Sequence, residues 1–87
     1  MQAIINGNHI TDRDSLHALL REKLQLPEDC GRNLDAVYDI LTEPGKPRII
    51  TIKHEAQLRR QLGDYADRFL QMLEDAAQSG HVQLLRK

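Results

Sequence analysis

In the first third of the chain, the pattern of apolar and polar positions predicts one strand followed by one helix. Residues 1–5 (MQAII) are predicted as a strand that ends at an Asn-Gly turn signal. Four leucines then follow with the i, i+3, i+4, i+8 spacing of an apolar helix stripe: Leu16, Leu19, Leu20 and Leu24. Thr11 or Asp12 is the predicted N-cap. Pro27 disfavours helical angles at the residue before it and should end the helix there.

A second, shorter helix is predicted over 34–43. Asn33 has the side chain of an N-cap, and the EPGKP stretch at 43–47, with two prolines and a glycine, ends the pattern. Three residues make its expected core face: Leu34, Val37 and Leu41.

The second half of the chain repeats this order. RIITIK at 48–53 is a β-branched run typical of a buried strand. A weak helix over 55–62 precedes a stronger one over 64–79, with Gly80 at the expected C′ position. The inner face of the stronger helix should comprise Ala66, Phe69, Leu70 and Leu73. A last strand is predicted over 81–85.

The resulting order, β-α-α-β-α-α-β, indicates an α/β protein. Strands separated by helices favour a small three-stranded parallel sheet, packed with helices and joined by right-handed crossovers. The length of 87 residues predicts a single domain over 1–87.

Composition and charge narrow the function classes. With 40% hydrophobic and 29% charged residues the chain lacks the signature of disorder, and its net charge of −1 gives no basic field for nucleic acid. The N-terminus has no basic and apolar signal sequence, and no apolar run reaches the ~18 residues of a membrane span. We therefore expect a cytoplasmic protein that binds neither nucleic acid nor membrane.

The negative charge is concentrated in one part of the chain. Residues 26–43 carry a formal charge of −4, whereas the rest of the chain carries +3. At 100° per residue, Asp35, Tyr38 and Asp39 fall on one side of the second helix. The two aspartates are four residues apart, a like-charge spacing that destabilises a helix by roughly 0.2–0.5 kcal/mol.

Two interpretations of this helix face follow from the residues. It is either an ordinary solvated polar face or an acidic recognition surface. The self-repelling pair favours the second interpretation, and so does the aromatic set between the acids, because aromatic residues anchor interfaces while charges steer partners.

The sequence gives little support for a catalytic site or a metal site. Two carboxylates on an exposed helix face lack the cleft that a hydrolase pair needs. Cys30 lies among acids, which would raise the pKa of a thiol and make it a poor nucleophile. The four histidines, His9, His17, His54 and His81, have no metal-ligand spacing. We therefore predict no catalytic residues, no bound metal and no cofactor.

The stretch LPEDCGRNLDAVYDILT at 26–42 resembles the signature of the barstar-like family, intracellular inhibitors of bacterial ribonucleases. The similarity continues through the early Ile-Asn-Gly and the glycine-ended helix before the last strand, with a small gap at 43–47. It covers essentially the whole chain.

This resemblance implies that the second helix and the loop before it block a ribonuclease active site, with carboxylates placed where RNA phosphates would bind. Asp39 would lie in the phosphate-binding centre with Asp35 beside it, and Tyr38 would pack against the enzyme. Asp75 matches a family glutamate that also meets the enzyme. The predicted ribonuclease-binding residues are Asp29, Asn33, Asp35, Tyr38, Asp39 and Asp75.

The family pattern has aromatic residues where this chain has Asp29 and near Pro44, so the chain's own specificity should show at Asp29. The expected partner is an extracellular-type bacterial ribonuclease, bound by an inhibitor that is monomeric when free. An antitoxin-type or regulatory module for another basic partner is the alternative, and a small carboxylate enzyme is a further one.

Overall fold

The computed structural model describes residues 2–27 and 33–87. Within them the strands and helices are β1 (Gln2–Asn6), α1 (Arg13–Leu24), α2 (Leu34–Leu41), β2 (Arg48–Lys53), α3 (Glu55–Leu62), α4 (Asp64–Gln78) and β3 (Val82–Arg86). The predicted α/β class and the order β-α-α-β-α-α-β are confirmed.

The three strands form one parallel sheet in the order β1-β2-β3. Its register aligns Ile4, Thr51 and Leu85 across the sheet. The central position of β2 follows from the β-branched run that predicted it, since such side chains pack well on a pleated surface.

The sequence predicts a buried strand at β2, and the structure buries one face of that strand completely and the other only in part. Its residues alternate between buried and half-buried, and the half-buried ones are Ile49, Thr51 and Lys53. On the edge strands Ile4 and Leu85 are exposed at 50% and 37%. The alternation shows that the helices cover only one face of the sheet. Crossovers between parallel strands are right-handed in nearly all proteins, and two such crossovers that advance the chain in the same direction lie on one face of the sheet.

The turn after β1 depends on a glycine. It forms a 3₁₀ turn, Gly7–His9, in which the Asn6 side chain accepts a hydrogen bond from the Asn8 N–H at 2.9 Å. A Cβ on Gly7 would lie 2.2 Å from the carbonyl oxygen of His54, which directly precedes α3. Only glycine therefore allows the end of β1 to approach the start of α3 this closely.

Helix α1 is capped by Asp12, one of the two predicted residues. The Asp12 carboxylate accepts from the Ser15 N–H at 2.8 Å, and the Ser15 hydroxyl accepts from the Asp12 N–H at 3.0 Å, a reciprocal capping box. The helix ends at Leu24, where Gln25 adopts left-handed angles (φ 56°), two residues before Pro27.

Helix α4 carries much of the core and supports α2. All four residues of its predicted inner face are buried, and it also buries Tyr65, Met72 and Ala76. Gly80 follows it with φ 88°, as expected for a C′ glycine. Helix α2 packs against α4, and this contact positions the acidic face. No helix in the ranges 2–27 and 33–87 is both long and apolar enough to cross a membrane.

Candidate protein-binding groove

The N-terminus of α2 is held by Asn33, as the sequence predicted. Its side-chain oxygen accepts from the Asp35 N–H at 2.8 Å, and its carbonyl accepts from the Val37 N–H at 3.2 Å. Asp35 stands in the first turn, where the helix dipole favours a negative charge. The cap therefore fixes the start of the helix that carries the predicted acids.

The C-terminal end of α2 is held by a residue from β2. Arg48 donates from Nη1 to the Ile40 carbonyl at 2.8 Å, and the Thr42 hydroxyl donates to the Tyr38 carbonyl at 2.9 Å. Arg48 is only 9% exposed, and its Nε has no hydrogen-bond partner among the described residues. Since α2 has no basic residue in its own last turn, this guanidinium supplies the positive charge that a helix C-terminus favours.

The two sides of α2 differ as predicted, with one exception. Val37 and Leu41 are fully buried, while Asp35 and Asp39 are exposed to solvent. Leu34 was expected to belong to the core face, but it is only half-buried and borders an open groove.

This groove lies between α2 and α4 and has a volume of about 1070 Å³. We call it the α2–α4 groove. The described residues that line it are Asn33, Leu34, Asp35, Tyr38, Tyr65, Asp67, Arg68, Gln71, Met72 and Asp75.

Four of the six residues predicted to bind a ribonuclease line this groove together: Asn33, Asp35, Tyr38 and Asp75. Asp39 is exposed one turn after Asp35 and lies outside the lining. Asp29 lies outside the described residues. The structure thus brings Asp75, forty residues further along the chain than Asp35, to the same surface.

The α4 wall of the groove was mostly missed by sequence reasoning. Arg68, Gln71, Met72 and Asp75 recur at intervals of three and four residues, which places them on one side of the helix. That periodicity could have indicated a second polar wall. The sequence pattern drew attention only to the buried stripe beside it.

Charges on the α4 wall are compensated to different degrees. Asp67 forms an ion pair with Arg59 of α3, which also pairs with Glu55 at 3.3 Å. The Gln71 amide donates to the Asp75 carboxylate at 3.0 Å. Arg68 forms no ion pair with any described residue. The groove therefore presents carboxylates together with one guanidinium, that of Arg68, which pairs with no carboxylate in residues 2–27 and 33–87.

Tyr65 connects the groove to the core. Its hydroxyl lies 2.7 Å from Nε2 of the buried His17, and its ring lines the groove. The guanidinium carbon of Arg13 lies 4.2 Å from the ring centroid, a cation–π contact. Burial raises the pKa of Tyr65, and the charges of Arg13 and Arg68 oppose that rise only in part, so the phenol stays protonated at neutral pH.

A separate cluster of ion pairs joins α3, α4 and β3. Glu55 of α3 accepts from Nε of Arg86 in β3 at 2.7 Å, and Arg86 also pairs with Glu74 of α4. The hydrogen bond from Arg86 is the main reason that the pKa of Glu55 is lowered; partial burial opposes this shift, and Arg59 adds to it.

The groove presents groups suited to binding a charged surface. Exposed carboxylates, an aromatic ring and amides can hydrogen-bond and pair with cationic side chains. Within the part of the chain that the structure describes, no group of three or more His, Cys, Asp or Glu side chains converges to hold a metal ion.

Comparisons with known proteins identify the family of the chain. The family model described as Barstar (barnase inhibitor) matches residues 1–85. The chain is also similar to a Bacillus subtilis (strain 168) protein named "Putative ribonuclease inhibitor YrdF", with 36% identity over 74 residues that cover 84% of this chain and 81% of that protein. A match of this extent shows that the chain belongs to the barstar family.

Proposed function

We propose that this protein is a non-catalytic inhibitor of a bacterial, barnase-like ribonuclease. It acts inside the cell as a monomer that occludes the active site of the enzyme. The carboxylates of α2 occupy the positions of RNA phosphates, and the α2–α4 groove receives the surrounding enzyme surface.

The observation that carries this proposal is the convergence of Asn33, Asp35, Tyr38 and Asp75 on one groove. Asn33, Asp35 and Tyr38 belong to α2 and its N-cap, whereas Asp75 belongs to α4, so two distant parts of the chain contribute to one surface. Membership of the barstar family supports the same function.

The chemistry of the partner explains the choice of carboxylates. An enzyme that cleaves RNA must offer arginine, lysine or histidine to a phosphate, and charge-assisted hydrogen bonds from those groups serve a carboxylate equally well. Asp35 and Asp39 are exposed on one side of a capped helix, so both can enter such a site without rearrangement of the backbone. Tyr38, half-buried between them, gives rigid contact area at low entropic cost.

The test is a titration of a panel of microbial ribonucleases with this protein, following RNA cleavage at two salt concentrations. We expect stoichiometric loss of cleavage for at least one basic, barnase-like enzyme, with weaker inhibition at high salt because the steering charges are screened. Full cleavage by every enzyme of the panel at excess inhibitor would contradict the proposal. The acidic surface would then be expected to bind a basic partner other than a ribonuclease.

A further inference from the structure

The α2–α4 groove has a basic end as well as an acidic one. Along α4, Arg68 precedes Asp75 by seven residues, a distance of about 10 Å at 1.5 Å per residue. Asp75 is accompanied by the Gln71 amide, whereas Arg68 follows Tyr65 by one turn. Arg68 and Asp75 thus lie about two turns apart on one wall of the groove, while Asp67, next to Arg68 in the chain, is paired with Arg59 of α3.

Tyr65 and Arg68 line this basic end, and Arg13 lies beside it, over the Tyr65 ring. The guanidinium carbon of Arg13 lies 4.2 Å from the centroid of the Tyr65 ring, which itself lines the groove. The Tyr65 hydroxyl is fixed by its hydrogen bond with buried His17 at 2.7 Å, so the ring is a rigid support. Neither guanidinium forms an ion pair with any described residue.

This arrangement is unfavourable against a uniformly basic partner. The charges of Arg13 and Arg68 both act on Tyr65, and both guanidinium groups would repel the cationic surface that the acids of α2 attract. A negative group of the partner placed next to Arg68 would turn this repulsion into attraction. Arginine is well suited to that role because its planar group binds a carboxylate through two parallel hydrogen bonds.

We propose that the basic end of the groove binds a carboxylate of the target ribonuclease, which makes Arg68 a specificity-determining residue. The inference rests on the proposed function and adds a requirement to it. The target must carry an acidic side chain close to its basic active site, and enzymes without one are rejected. Arg13, which lies over the Tyr65 ring beside the groove, adds positive charge near the same group.

The test is the affinity of Arg68→Glu for the ribonuclease that the parent protein inhibits most strongly. The matched control is Arg60→Glu, since Arg60 is an exposed base of α3 outside the groove lining. Both variants change the charge by the same amount, and steering alone predicts that both bind a basic enzyme faster. We expect Arg68→Glu to bind about tenfold more weakly or worse, mainly through faster dissociation, and Arg60→Glu to bind at least as tightly as the parent.

Arg68→Glu binding as tightly as the parent, or more tightly, would overturn the inference. A parallel Asp35→Asn arm separates this failure from that of the proposed function. If Asp35→Asn loses affinity while Arg68→Glu does not, only the role of Arg68 is wrong. If the parent inhibits no enzyme of the panel, both proposals fall. Because Arg68 is exposed, the Arg68→Glu variant should have the same thermal midpoint as the parent. Measuring that midpoint checks that the variant is folded.

Discussion

The Tyr65 hydroxyl lies 2.7 Å from Nε2 of His17 inside the core, while the Tyr65 ring lines the α2–α4 groove. One side chain therefore links α1 to α4 and also supports a guanidinium at the surface. Loss of its hydroxyl should affect the stability of the fold, and loss of its ring should affect the groove as well.

Tyr65→Phe should lower the free energy of unfolding by about 1–2 kcal/mol, because it removes a hydrogen bond from a buried histidine. Tyr38→Phe is the matched control, since that ring is only half-buried and its hydroxyl has no hydrogen bond to the described residues. Urea unfolding followed by circular dichroism measures both variants. Equal stability of the two would show that the His17–Tyr65 contact contributes nothing.

Asn33→Ala should destabilise the protein by about 1 kcal/mol, because the Asp35 N–H at the start of α2 loses its acceptor. Asn33→Ser should retain most of that stability, since serine caps a helix about as well as asparagine. Thermal unfolding of the three proteins tests the pair of expectations. A serine variant that is as unstable as the alanine variant would mean that Asn33 acts through something other than its cap.

Acid should remove the contribution of the Glu55 cluster to stability. The pKa of Glu55 is lowered in the folded protein by its hydrogen bond from Arg86, so the unfolded chain takes up this proton at higher pH than the folded one. The contribution is therefore complete well above about pH 4.3, the ordinary glutamate value, and is lost as the pH falls below it. Chemical unfolding of the parent and of Glu55→Gln between pH 3 and 7 measures the effect.

Glu55→Gln should be less stable than the parent at neutral pH, by about 1 kcal/mol for an ion-pair network at the surface, and the difference should shrink in acid. Glu22→Gln is the control, because Glu22 is exposed on α1 and forms no ion pair with the described residues. A stability difference for Glu55→Gln that is the same at every pH would exclude this electrostatic origin.

Association with the target ribonuclease should slow steeply as salt rises. Residues 26–43 carry −4 in a chain of net charge −1, so the attraction is local to the proposed contact surface. The Debye length falls from about 30 Å at 0.01 M to 3 Å at 1 M, which removes steering before contact. Stopped-flow measurement of both rate constants should show a change mainly in association; a salt effect confined to dissociation would argue against steering.

Most of the fold could be predicted because its signals are local. The leucine spacing of α1, the Asn33 cap and the glycine after α4 each act within a few residues, and each prediction was confirmed. The half-exposed face of β2 was missed because β-branched residues fit a strand with one covered face as well as one with two.

The groove could be predicted on one wall only. The acids of α2 stand out by charge in the sequence, but the contact of α2 with α4 depends on the folded core. The Tyr65–His17 hydrogen bond joins residues 48 positions apart, and the Arg48–Ile40 bond crosses a loop. No periodicity encodes such pairings, because they depend on how elements pack.

The most direct test of the central claim is the affinity of Asp39→Ala for the cognate ribonuclease, measured beside its thermal midpoint. Asp39 is exposed, and its carboxylate forms no hydrogen bond or ion pair with the described residues, so the substitution leaves the helix contacts in place. Glu22→Ala removes the same charge outside the groove and serves as the control.

If Asp39 enters the phosphate-binding centre, its loss leaves cationic groups of the enzyme buried and unpaired. We then expect binding to weaken by about 3–5 kcal/mol, more than a hundredfold, with a nearly unchanged midpoint and near-parent affinity for Glu22→Ala. An Asp39→Ala protein that binds the enzyme as tightly as the parent would contradict the account.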